Sequence, residues 1–158
     1  MGFVKLNVDA YFDHDLLRGT GGVVLRDDKG KFIVGGNWEI DWCVDVLTAE
    51  AMALRFGLIL AQKAGCNRLI INSDNMEVID IMKNGGQSTE FATAVFEDCY
   101  FMACDFLLTR FEHCNRVANK VAHELARLAN ISVTRDWFGE LMENIVPLLI
   151  GNETIISN

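Results

Sequence analysis

Val4, Leu6 and Val8 alternate with Lys5, Asn7 and Asp9 near the start of the chain, the period-two signature of a half-buried strand. That register puts Asp9 on the more polar face, at the predicted end of the strand. Gly19-Thr20-Gly21-Gly22 leads into Val23-Val24-Leu25, and Asp28-Lys29-Gly30 reads as a hairpin turn before Phe32-Ile33-Val34. Consecutive strands on short connections predict an antiparallel meander. From Ala49 to Ala64 the period changes. Leu54, Leu58 and Ala61 form one stripe, with Met52, Phe56 and Ile59 beside it, as on an amphipathic helix. Thr48 is the predicted N-cap and Gly65 the stop.

Arg68 to Asn72 reads as a short buried strand ending at Ser73-Asp74. Helices are predicted over 75–83 (closed by Asn84-Gly85-Gly86), 91–104 and 116–129, with a strand over 106–111. In the last of these helices Val117, Val121, Leu125 and Leu128 form the predicted buried stripe. A short helix near 137–144 and a loose tail complete the reading. This order predicts an α/β architecture: a mixed sheet with an antiparallel edge, covered by helical crossovers. With 158 residues, no linker composition and no repeat, residues 1–158 read as a single domain.

Composition narrows the function. Hydrophobic residues make up 51% and charged residues 23% of the chain, within the globular range. No apolar run approaches the roughly 20 residues that span a bilayer, and the N-terminus lacks a secretory pattern. Fourteen Lys and Arg stand against twenty-two Asp and Glu, a net charge of −8. Affinity for phosphate backbones comes largely from cations displacing counterions, so any nucleic-acid role must rest on a local site, with divalent metal. The five cysteines are odd in number and form no CxxC. They read as reduced thiols of an intracellular protein, nuclear or cytoplasmic, and not as a disulfide framework.

Asp9 at a strand end, Glu50 in the first turn of a helix and Asp74 at the end of the fourth strand stand where ligands bind in open α/β sheets. Hard oxygen ligands meeting there favour Mg²⁺ or Mn²⁺. Each residue also has an ordinary structural account. Glu50 would complement the helix macrodipole, and Asp74 with Glu77 would form a capping pattern. Asp9 is harder to explain that way, because Asp is depleted in strands. On the fourth helix Arg116, Asn119, His123 and Arg127 share a polar stripe.

Five motifs then occur in order: Lys5-Leu6-Asn7-Val8-Asp9, Gly21-Gly22-Val23-Val24-Leu25-Arg26-Asp27, Thr48-Ala49-Glu50-Ala51-Met52-Ala53-Leu54, Asn72-Ser73-Asp74, and residues 115–126 with Asn119, His123 and Leu125. Over residues 3–130 the chain resembles the ribonuclease H type 1 family, most closely the reverse-transcriptase-like, retroelement-derived domains of plants; 131–158 is then a C-terminal extension. The resemblance implies a ribonuclease H-like fold with a five-stranded mixed sheet: the antiparallel meander plus two parallel strands. It implies hydrolysis of the RNA strand of RNA–DNA hybrids with two Mg²⁺ (or Mn²⁺) ions held by Asp9, Glu50 and Asp74. Asp9 would bridge the ions, Asp74 would hold the one that activates water, and Glu50 the other. His123 falls on the family's fourth acidic position, and His113 on a mobile-loop histidine that assists turnover. Arg116, Asn119 and Arg127 are the candidates for weak contact with the hybrid.

The departures from the family pattern bear on binding. His123 removes one negative ligand, and Ala10 adds a Cβ after the first Asp. Val46-Leu47 replace a polar pair that meets nucleic acid in many relatives, and Asn84-Gly85-Gly86 leaves no room for a basic protrusion. The alternative is therefore a catalytically degenerate domain of the same fold, kept as a nucleic-acid- or protein-binding module. A flavodoxin-like binder is disfavoured by the meander and by the missing Gly-rich phosphate loop.

Overall fold

The alternation at the N-terminus becomes β1 (Val4–Asp13), which runs four residues past Asp9 because its ladder with β2 (Arg18–Arg26) continues to the Asp13–Arg18 pair. Asp9 is thus within the strand and not at its end. The structure is a computed structural model, and it describes residues 2–88, 91–130 and 135–138. β3 (Phe32–Ile40) completes the meander. The chain continues through α1 (Val46–Lys63), β4 (Arg68–Ser73), α2 (Met76–Lys83), α3 (Thr93–Cys104), β5 (Leu108–His113), α4 (Lys120–Asn130) and β6 (Arg135–Phe138).

The sheet order is β5-β4-β1-β2-β3-β6, with β4 parallel to β1 and β5 parallel to β4. These are the five strands of the mixed sheet, with β6 added antiparallel to the edge at β3. The helix predicted from residue 137 is corrected at its first two positions, which are strand; residues 139–144 lie outside the described residues. Without β6 the edge of β3 would leave backbone groups unpaired, and a short local pattern cannot register that non-local partner.

The glycine run preceding Val23 lies inside β2. A Cβ on Gly22 would collide with the Ala122 carbonyl and the Ala126 amide of α4, and one on Gly21 would sit 3.0 Å from Ala53 of α1. The glycines are there because helices approach closely from both sides. The core is built on Leu6, Val8, Val23 and Leu25 of the sheet against Leu54 and Leu58 of α1, all fully buried. No helix among the described residues is long and apolar enough to cross a membrane.

Candidate active site

Two local details remove the ordinary accounts of the acidic residues. The N-cap of α1 is Asp45, whose carboxylate accepts from the Thr48 amide at 2.7 Å. The helix therefore starts before the predicted Thr48, and Glu50 lies beyond its first turn, which holds no acid. The macrodipole does not explain Glu50. Likewise α2 is capped by Asn75, which accepts from the Val78 amide at 3.3 Å, so the carboxylate of Asp74 is not a cap.

Both strands bring their acids to one place. The parallel ladder of β1 with β4 stops at the Asn7–Asn72 pair, and Asp9 and Asp74 each lie two residues beyond it. One carboxylate oxygen from each of Asp9, Glu50 and Asp74 lies within 4.8 Å of the others. Asp9 and Glu50 are buried, at 4% and 5% exposure, and Asp74 is half-buried. Burial raises the Asp9 carboxyl above its ordinary pKa, and the charge of Asp74 adds to this, while the hydrogen bond from His123 pulls it partly back. Glu50 is pushed up further, first by burial, then by the charges of Asp9 and Asp74. The nearby Cys114 thiol is raised to about 11, by burial before the same charges.

Glu50 Oε2 is buried with no hydrogen-bond partner. An orphaned carboxylate oxygen beside two more acids is the donor set that a hard divalent cation satisfies, so the residues present fit such an ion. The acids open onto a cavity of about 680 Å³ that Ala10, Val46, Arg116, Lys120 and His123 also line.

His123 points into the cluster, its Nδ1–H donating to Asp9 Oδ2 at 2.8 Å. Arg116 lines the cavity but precedes α4, which begins at Lys120. That later start corrects the stripe of the last helix: Val117 is 58% exposed, whereas Val121, Leu125 and Leu128 are buried. Asn119 departs from the expected substrate face. It is buried, its Nδ2 donates to the Val8 carbonyl at 2.8 Å, and its Oδ1 accepts from Asn7 at 3.2 Å. Both ends of its amide are spent holding α4 to β1. Arg127 donates to Glu124 at 2.7 Å and does not line the cavity. His113 is the last residue of β5, paired with Ser73 in the ladder and not on a free loop, and it donates to the Asp74 carbonyl at 3.1 Å. Lys120 escaped the sequence reading, although its place one turn before His123 was the available signal.

The same architecture recurs in solved structures. RNase H1 of Halobacterium salinarum superposes with a TM-score of 0.76 at 20% identity, over 84% of this chain and all of that one. The N-terminal RNase H domain of a Mycobacterium tuberculosis protein gives 0.75 at 19% identity, over 82% and 94% of the two chains. An RNase H1 from compost, LC11, solved in complex with an RNA/DNA hybrid, gives 0.72 at 19%, over 79% and 94%. Fold and topology thus define a ribonuclease H-like domain. Residues 7–129 match the reverse transcriptase-like family, and the chain belongs to it. An Arabidopsis thaliana protein that carries a provisional ribonuclease H name is 26% identical over 157 residues, which is 98% of this chain. The chain spans 25% of the length of that relative.

Proposed function

We propose that this domain is a divalent-metal-dependent endonuclease that hydrolyses the RNA strand of RNA–DNA hybrids. The observation that carries the reading is the convergence of Asp9, Glu50 and Asp74 with one buried Glu50 oxygen left unpartnered. These three side chains would hold Mg²⁺ or Mn²⁺, two ions by analogy with the family, which when bound lower the pKa of a water and stabilise the leaving oxygen. Asp9, between the other two acids and His123, holds the cluster together. His123 orients the Asp9 carboxylate through its Nδ1–H bond, and Arg116 offers the strand a phosphate contact from the cavity wall. His113, bonded to the Asp74 backbone, steadies the segment that carries that acid. The hydrogen bond from His123 also occupies a lone pair of Asp9 that a metal could use, and this favours the second reading, a binding module without catalysis.

Incubating a labelled RNA–DNA hybrid with the protein and Mg²⁺ or Mn²⁺ separates the two. Cleavage is expected from the wild type and none from Asp9→Asn, which keeps the shape and loses the charge. Binding of the hybrid without cleavage at high protein concentration would favour the module.

A further inference from the structure

The cavity has two walls of opposite charge. Asp9, Glu50 and Asp74 reach it from β1, α1 and the end of β4, whereas Arg116 and Lys120 reach it from the turn before α4 and from its first residue. A lysine at that end of a helix faces the positive pole of the macrodipole, an unfavourable place for a cation, and no acid in the first turn relieves it. Its natural partner one turn on is taken, because Glu124 Oε2 accepts from Arg127 at 2.7 Å. Lysine preceding glutamate is in any case the weaker order on a helix. Among the described residues the Lys120 and Arg116 side chains make no hydrogen bond or ion pair. Lys120 is nevertheless half-buried at the cavity. Residues that break a local rule are expected at functional or strained sites, and this one lines the cavity.

A ligand that satisfies both walls must bring a cation to the acids and an anion to the lysine and arginine. We propose that Lys120, together with Arg116, seats a backbone phosphodiester of the hybrid against the divalent cation held by the acidic wall. Lys120 is then a substrate-binding residue that decides how firmly the strand is held over the acids. This inference rests on the hydrolase reading above and adds to it the residue that grips the phosphate.

The test is binding of a short fluorescent RNA–DNA hybrid in Ca²⁺, measured by anisotropy over a range of salt, so that cleavage plays no part. Lys120→Gln is expected to weaken binding and to reduce the slope of log affinity against log salt by about 1, the loss of one phosphate contact. Lys120→Arg should keep the slope, and Lys63→Gln, at the far end of α1, should leave both quantities unchanged. Thermal melting of each variant in the wild-type range ties the change to the contact and not to the fold. If the wild type binds and Lys120→Gln binds with the same affinity and slope, the role of Lys120 is overturned while the hydrolase reading stands. If the wild type binds no hybrid in any divalent cation, both fall together.

Discussion

At the scale of single residues, Glu50 is where stability and function pull apart. Its pKa is higher in the folded protein than in the unfolded chain. Its contribution to stability is therefore fully present below the unfolded pKa and is lost as pH rises through the folded one. Metal-free protein should lose stability over that window, and Glu50→Gln should remove the larger part of the loss, the raised Asp9 keeping the rest. The expected gain is about 1–3 kcal/mol at neutral pH, the scale of a buried polar group freed from an unmet charge. Urea unfolding of both proteins on either side of the window checks it. Mn²⁺ should raise the melting temperature of the wild type by more than that of Glu50→Gln, which keeps two of the three carboxylates. His123 poses the converse experiment. His123→Asp restores a fourth negative ligand and should tighten Mg²⁺ binding in a calorimetric titration, while lowering stability without metal because another carboxylate then faces Asp9.

At the scale of elements, the site depends on how α4 is set on the sheet. Gly22→Ala places a Cβ against the Ala122 carbonyl and must lift the helix that carries His123 and Lys120. Overpacking of this kind costs typically 1–3 kcal/mol, about the same range expected here, and metal affinity should fall with it. Chemical denaturation and a Mn²⁺ titration on one preparation would show whether the two losses travel together. Asp45→Ala should cost about 1 kcal/mol through the lost cap of α1. The sequence made legible those elements whose pattern is local: the alternation of β1 and the stripe of α1 are visible without knowing what they touch. Glycines 19–22 read as a lead-in because only the approach of two helices explains them inside a strand. The pattern alone starts α4 too early because Val117, apolar and in phase, lines the cavity instead of the core, and the same phase turns Asn119 outward. Asp9 could be picked out as an acid where strands rarely place one. Glu50 and Asp74 share with Asp9 a position where ligands bind in α/β sheets, but each also has a local account, and the family resemblance adds the weight that position alone lacks.

At the scale of the molecule, the net charge of −8 sets the terms of any encounter with nucleic acid. In chelator, hybrid affinity should be weak, with a shallow salt slope reflecting roughly 2–4 phosphate contacts, and divalent cations should strengthen it. Gel shifts with and without chelator measure this; nanomolar affinity at physiological salt without metal would contradict it. The way α4 is fastened has a further consequence. Thr20 Oγ1 donates to the Ala126 carbonyl at 2.8 Å, and Asn37 Nδ2 to the Leu125 carbonyl at 2.7 Å. Side chains from two neighbouring strands thus grip the backbone of the helix that forms one wall of the cavity. That wall cannot swing on its own, because releasing it breaks buried bonds to the middle of the sheet. In native-state hydrogen exchange, the amides of Val121 to Leu128 should open only together with those of β2 and β3, in a single cooperative unit. Any ligand then enters a cleft whose width is set when the chain folds.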